Sequence, residues 1–242
     1  MCGIAGYFGN YDGELRNNLK DTLKQLHKRG PDSNGYFYKK YDEGEQLLLV
    51  HTRLKIIDLY DRANQPFVYK NLILNFNGEI YNYLELRKHL IGRGLDFQSD
   101  SDTEVLIKYF HIYGKRGLDD FEGMFAFSIF DLENKTLTLA RDRFGEKPLH
   151  YYEGKNFISF SSEINALKKI SNISFEINKN LVFNFLNKGY RVGYNDNNIN
   201  FFKNIKSVKP SYLYTYKRAG DKKKFKYWFP DMNKSFTSKK EI

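Results

Sequence analysis

The sequence predicts an α+β fold built on largely antiparallel sheets, and three observations carry that expectation. Short β-prone runs succeed one another with helical stretches interposed, but without the regular strand and helix alternation of a parallel sheet. Three pairs of these runs are separated only by short polar segments, as hairpins are. A chain of 242 residues, 41% apolar and 17% aromatic, is enough for the core of one large domain or one and a half. No fixed-period repeat points to a solenoid.

In chain order, Ile4 to Phe8 is an apolar strand. Glu14 to Lys28 sets Leu15, Leu19, Leu23 and Leu26 on one helical stripe, which Arg29-Gly30-Pro31-Asp32 stops. Gly35 to Lys39 and Gln46 to His51 read as strands, as does Leu72 to Phe76, which delivers Asn77-Gly78 at its end. Tyr83 to Leu90 reads as a helix. Ser101-Asp102-Thr103-Glu104 is a capping box with Ser101 as N-cap of a helix reaching about Tyr113. Gly123 to Leu132 and Thr136 to Arg141 form a hairpin across Glu133-Asn134-Lys135, and a punctuated loop, 141 to 149, follows. Tyr151 to Glu153 pairs with Phe157 to Phe160, and Ser162 to Lys168 and Leu181 to Leu186 are short helices. Tyr194 to Asn200 reads as an exposed loop, and Leu213 to Tyr216 pairs with Phe225 to Trp228 across a lysine-topped turn, Arg218 to Lys224.

Composition excludes several classes of function. One cysteine rules out an internal disulfide framework, and with five scattered histidines it forms no metal-ligand spacing, so no metal site is expected. No charged start followed by an apolar core, and no run of about 18 apolar residues, indicates export or membrane spanning. A reducing cytoplasmic setting is expected. The net charge of +10 suggests nucleic acid at first, but residues 203 to 242 hold 12 Lys and Arg against 3 Asp and Glu, leaving +1 for the rest. That basic tail reads as a solvated turn and linker rather than a nucleic-acid surface.

The chain's cysteine lies one residue from its start. If Met1 is removed, Cys2 carries a thiol and a free α-amine of pKa about 7.7–8.0 on one residue, a nucleophile with its own general base. The bland alternative is a structural cysteine in a buried strand. Asn77-Gly78 offers a side-chain amide and an unobstructed backbone N–H, two donors able to converge on one oxygen, or else a simple turn. Arg53 suits a bidentate grip on a carboxylate, or a surface ion pair. Asp102, at a helix start, could hold an ammonium or merely complement the helix dipole. Taken together, these four features describe a pocket for an α-amino acid with a nucleophile beside its side chain.

Cys2-Gly3-Ile4, RGPD at 29 to 32, HTRLKIID at 51 to 58, NGEIYN at 77 to 82, SDTE at 101 to 104, GMFAF at 123 to 127, RDRFGEKPL at 141 to 149 and SSEINAL at 161 to 167 occur in that order. With them the chain resembles the glutaminase domain of class II glutamine amidotransferases, on the asparagine synthetase branch, over residues 2 to 228. The resemblance implies an N-terminal nucleophile hydrolase sandwich, with two antiparallel sheets between layers of helices. It implies Cys2 as nucleophile, Asn77 and Gly78 as oxyanion hole, Arg53 as clamp on the glutamine carboxylate and Asp102 as partner of its amine. Glu79 and the segment Leu54, Lys55, Ile56 and Ile57 are implied to line the same pocket. Lys28, where a histidine is common, and Asp100, where a glycine is, depart from the pattern. The Ser-Gly-Gly-x-Asp-Ser loop of the family's second domain does not occur in these residues. The expectation is therefore a glutaminase half that needs no cofactor, with 229–242 leading toward a synthetase domain where ATP and Mg2+ would act. The partners implied are glutamine and an acceptor carboxylate, aspartate by default or a sugar acid. A homodimer is an open option. Two other readings are a catalytically silent scaffold and, from the tail alone, a nucleic-acid module.

Overall fold

The computed structural model describes residues 1–189, 200–217 and 221–230. The run after Cys2 becomes β1 (Gly3–Asn10), and after α1 (Leu19–Leu26) come β2 (Ser33–Lys40) and β3 (Glu45–Arg53). Next are β4 (Phe67–Tyr69), β5 (Leu72–Ile80), α2 (Tyr83–Ile91) and α3 (Asp102–Tyr113). Two hairpins follow, β6 (Gly123–Asp131) with β7 (Thr136–Arg141) and β8 (His150–Glu153) with β9 (Phe157–Ser161). The described order ends with α4 (Ile164–Ser171), α5 (Lys179–Lys188), β10 (Lys206–Ser207), β11 (Tyr212–Tyr216) and β12 (Lys222–Lys226).

The strands make two six-stranded sheets, ordered β10-β8-β9-β1-β3-β2 and β12-β11-β7-β6-β5-β4, with every pairing antiparallel. Alternation along the strands assigns the layers. Ile4 and Phe8 of β1 meet Ile73, Phe130 and Leu139 between the sheets, while Ala5 and Tyr7 face α1 and α4 with Leu26 and Leu167. On the far side, Phe76 and Phe127 pack under α2 and α3 with Leu90 and Leu106. Helices, sheet, sheet and helices form the four-layer sandwich that the resemblance implies. Because β1 is buried on both faces it reads as a continuous apolar run, not as an alternating one.

Several elements differ from expectation. The helix expected over Glu14 to Lys28 is α-helical only from Leu19 to Leu26, with 3-10 turns at Leu15–Asn18 and His27–Arg29. Its first turn is tied down from outside: the Leu15 N–H donates to Gln46 Oε1 at 2.9 Å, and Asn18 Nδ2 donates to the Tyr11 hydroxyl and the Ile170 carbonyl. Ser101 caps α3 as expected, accepting from the Thr103 N–H at 3.0 Å, but Glu104 does not complete the box. Its carboxylate instead takes the Gln98 and Ser99 N–H groups and pairs with Lys108 at 2.7 Å.

The lysines placed in a solvated turn belong to β12, because Lys222 has somewhere to go. Its ammonium lies over the rings of Tyr151, Tyr214 and Tyr216 and binds Glu153 at 2.7 Å. Lys206 meets the same carboxylate at 3.1 Å. Part of the basic tail thus serves the sheet edge. Within the loop expected over Tyr194 to Asn200, all but Asn200 lie outside the described residues, as do 218–220 of the expected turn and 231–242 of the expected linker.

The difference that matters most concerns β5. It continues through Asn77 and Gly78 to Ile80, paired with β6 along its whole length, so Asn-Gly here is neither a turn nor a strand end. β4 pairs only with Leu72 to Leu74. Among the described residues, the second half of β5 therefore has no strand along its outer edge.

Candidate active site

Cys2 precedes β1 and continues the face of Ile4 and Phe8, so it points toward the second sheet. Three of the sequence motifs hold it there. Arg29 of RGPD donates from Nε to the Cys2 carbonyl at 2.9 Å and pairs with Glu163 at 2.7 Å. Gly30 lies flat on β3, where a Cβ would stand 2.4 Å from the Thr52 carbonyl. From the SSE segment, Ser161 Oγ and the Ser162 N–H donate to the Ile4 carbonyl at 3.0 and 2.8 Å. The thiol itself lies 3.8 Å from the Leu54 carbonyl. Burial pushes the Cys2 thiol up; the N-terminal ammonium and Arg53 act against that and Asp102 with it.

Opposite Cys2, the strand edge carries the two donors. Successive N–H groups of a strand point to opposite sides, so those of Phe76, Gly78 and Ile80 all leave the outer edge of β5. The Phe76 N–H is taken by Gln65 Oε1 at 2.6 Å and the Ile80 N–H by Asp102 Oδ2 at 3.1 Å. The Gly78 N–H between them meets no acceptor among the described residues. Asn77 points into the same space, almost wholly buried, with neither amide atom hydrogen-bonded among the described residues. Burying both ends of an amide without partners is costly, and such a group marks a place where a ligand is to be met. Gly78 is required by proximity: a Cβ there would stand 2.2 Å from the Met124 carbonyl.

Arg53 ends β3, buried, but it is not the free fork the sequence suggests. Nη1 donates to the Tyr60 carbonyl at 2.9 Å and Asn64 Oδ1 at 2.8 Å, and Nη2 to the carbonyls of Ile57 and Asp58. The guanidinium thus organises the loop 54–64 while its charge, with no carboxylate on it, faces the cavity. Asp58 ties this loop to the one before α3. It adopts the left-handed backbone (φ 51°), accepts the Asp100 N–H at 2.8 Å and pairs with Arg62 at 2.9 Å. Asp100 is accommodated in place of a glycine by its own pairing with Arg62, 2.7 Å, and Arg87, 3.5 Å.

Cys2, Arg53, Leu54, Ile56, Ile57, Asn77, Gly78, Glu79 and Asp102 all line one cavity. Lys55 does not. Its N–H donates to Asp32 Oδ2 at 2.8 Å and its ammonium turns to Asp61 at 2.9 Å. Asp102, nearly buried at the start of α3, is raised to about 6: burial outweighs the Ile80 and Thr103 N–H groups, and the Glu79 charge adds to it. Sequence reasoning missed Gln65, Ser101, Thr103 and Lys147, which also line the cavity. Lys147 arrives on RDRFGEKPL, whose shape is set by Asp142 accepting the N–H groups of Phe144, Glu146 and Lys147 at 2.9–3.0 Å. Among the described residues no three His, Cys, Asp or Glu gather as a metal site, and no helix is long and apolar enough to cross a membrane.

A cysteine one residue from the start of the chain, two donors opposite it without partners among the described residues, and one cation and one anion in a shared cavity set the context for comparison with known proteins. A family model described as Glutamine amidotransferase domain matches residues 1–228. The chain is 38% identical over 185 residues to asparagine synthetase [glutamine-hydrolyzing] 1 of Bacillus subtilis, covering 74% of this chain and 28% of that protein. To asparagine synthetase B [glutamine-hydrolyzing] of Escherichia coli it is 36% identical over 172 residues, covering 69% of this chain and 30% of that protein. It thus spans less than a third of the length of either relative. Among solved structures, the glutamine phosphoribosylpyrophosphate amidotransferase of B. subtilis, in complex with ADP and GMP, superposes with a TM-score of 0.68 at 18% identity, over 95% of this chain and 50% of that one. That likeness is one of fold. The chain belongs to the glutamine amidotransferase domain family, of the class II kind shared with the glutamine-hydrolysing asparagine synthetases.

Proposed function

We propose that this chain hydrolyses the side-chain amide of glutamine to glutamate and ammonia, with Cys2 as nucleophile. The observation that carries the reading is the Asn77 amide, buried without a partner beside the open Gly78 N–H and facing the cavity of Cys2. Once Met1 is removed, the α-amine takes the thiol proton, directly or through water, and sulfur attacks the amide carbon. Asn77 Nδ2 and the Gly78 N–H receive the developing oxyanion. The amide nitrogen leaves as ammonia with the proton returned to it, and water releases glutamate from the γ-glutamyl thioester. Asp102 meets the substrate ammonium. The charge of Arg53 meets its carboxylate, at the cost of loop bonds the guanidinium now makes.

The cysteine chemistry itself calls on no cofactor. We read residues 2–228 as the glutaminase domain and assign acceptor activation, with ATP and Mg2+, to a synthetase part beyond 229–242. The relatives' names favour aspartate as acceptor. A reducing cytoplasm suits a free thiol nucleophile, and a homodimer remains compatible with this arrangement.

The test is equimolar release of glutamate and ammonia from L-glutamine by the chain freed of Met1; no release, with glutamine bound, would sink the reading. Arg53→Lys keeps the charge and loses the fork. It is expected to raise KM about 10- to 100-fold, matching about 1.5–3 kcal/mol for charged hydrogen bonds, with a smaller change in kcat. An unchanged KM would remove Arg53 from the substrate site.

The pH profile supplies a second check. A carboxyl raised to about 6 is anionic only above that pH, and only the anion can hold an ammonium. As pH falls, kcat/KM is therefore expected to drop first through the α-amine, about 7.7–8.0, and then more steeply through Asp102. Asp102→Asn should abolish the second step and lower kcat/KM at alkaline pH. A variant that kept both limbs would place the lower one on another group.

A further inference from the structure

The outer edge of β5, where the strand lacks a neighbour, is completed by side chains instead. His51 and Gln65 both act on Phe76. The His51 ring is wholly buried in β3, with Nε2 3.2 Å from the Phe76 carbonyl. A carbonyl only accepts, so Nε2 carries the hydrogen and Nδ1 is the bare nitrogen, buried without a partner. Burial keeps the ring neutral, lowered to about 3. Gln65 accepts the Phe76 N–H through Oε1 and donates from Nε2 to Thr103 Oγ1 at 3.3 Å, next to Asp102.

The Phe76 carbonyl and the Asn77 nitrogen belong to one peptide plane. His51 grips that plane on its outer side and the β5 and β6 ladder grips it on the other, through Asn77 opposite Ala126. The plane sets the direction of the Asn77 side chain and the position of the next N–H, that of Gly78. His51 also lies opposite Ile4 on β1, two residues from Cys2. One side chain thus spans from the strand beside the nucleophile to the strand bearing the donors.

We propose that His51 is a positioning residue for the oxyanion hole: its bond to the Phe76 carbonyl, seconded by Gln65 on the Phe76 N–H, fixes the aim of Asn77 and Gly78 at the oxygen of the carbonyl that Cys2 attacks. This rests on the reading of Asn77 and Gly78 as oxyanion donors. Such a residue touches neither substrate nor nucleophile. Its loss should be felt in the tetrahedral state and not in ground-state binding, since a misplacement of about 1 Å can cost on the order of 100-fold.

The experiment compares His51→Leu, which keeps bulk and loses the donor, with His51→Gln, whose Nε2 can reach the same carbonyl, in the full 242-residue chain freed of Met1. Kinetics with glutamine are read beside binding of two probes. Glutamate needs no oxyanion hole. The γ-aldehyde analogue of glutamine is attacked by the Cys2 sulfur, forming a carbon–sulfur bond while the carbonyl oxygen takes the thiol proton, and the resulting hemithioacetal presents its oxygen to the hole. His51→Leu is expected to lower kcat and weaken the aldehyde together, by about 10- to 100-fold, with KM and glutamate affinity unchanged within about threefold. His51→Gln should restore most of both. Wild-type kcat and aldehyde affinity in His51→Leu would overturn the proposal, as would a parallel loss of glutamate binding or a His51→Gln no better than His51→Leu. If His51→Leu does not fold, Gln65→Met releases the other side of Phe76, the N–H of the preceding peptide, from a different segment and is held to the same pattern. Asn77→Ala separates the two readings. If it leaves kcat and aldehyde binding intact, the oxyanion assignment fails; if it lowers both while the His51 and Gln65 variants do not, only the positioning role fails.

Discussion

Cys2→Ala is expected to lower glutamine hydrolysis by on the order of 10⁴-fold or more while leaving glutamine bound, because removal of a covalent nucleophile takes with it the whole two-step route. In the proposed reading substrate recognition rests on other atoms: Arg53, Leu54, Ile56, Ile57 and Asp102 line the cavity independently of the sulfur. Equilibrium binding of glutamine should therefore survive, and a slow, stable complex should accumulate. The fold should survive as well, since the Cys2 carbonyl and not its thiol is the group anchored by Arg29. The same logic sets the consequence of retaining Met1. That residue stands half-exposed over the cavity, and while it is attached the Cys2 nitrogen is an amide without basicity. Burial pushes the thiol up, so a thiol without its base stays protonated. Specific activity should track the fraction of chains lacking Met1 by mass. Activity in Cys2→Ala, or in chains that keep Met1, would place the nucleophile elsewhere.

What the sequence made legible was chemistry that a residue carries in its own side chain. Cys2 is unusual by position alone, and Asp102 announces itself beside a Ser N-cap that α3 does use. What it hid was chemistry made by neighbours. Asn-Gly is a turn dipeptide in isolation, and only the pairing of β5 with β6 through Ile80 shows that it lies within a strand. Gln65 enters the cavity from a segment with no local pattern to announce it, and Thr103 and Lys147 arrive on SDTE and RDRFGEKPL, whose spelling does not single them out. RGPD and RDRFGEKPL read as punctuation because each carries one Gly and one Pro. Their content is Arg29 on the Cys2 carbonyl and Asp142 gathering three N–H groups. The loop bonds of Arg53 stayed hidden because its acceptors are three main-chain carbonyls and the distant Asn64 side chain, which no sequence motif displays. Lys222 misled for a related reason: a lysine reads as solvated until three tyrosines and Glu153 surround it.

Asn77→Ala should separate function from stability with unusual clarity. An oxyanion donor removed from an acyl-transfer site costs about 10²–10³ in kcat, or about 2.7–4 kcal/mol, with little change in KM because the ground-state carbonyl is held less closely than the oxyanion. Most buried amides would also cost stability when truncated, through the hydrogen bonds lost. Asn77 makes none among the described residues, with both its amide atoms buried. Leaving such a group unsatisfied costs about 1–3 kcal/mol, which alanine relieves, against the space the smaller side chain leaves. The expected outcome is a collapse in kcat with an unfolding midpoint that holds or rises, the mark of a residue kept at the expense of the fold. Paired measurements of kcat and Tm decide it. A variant that lost stability and activity together would make Asn77 a packing residue, and one that kept its kcat would leave the Gly78 N–H as the sole donor at the edge of β5.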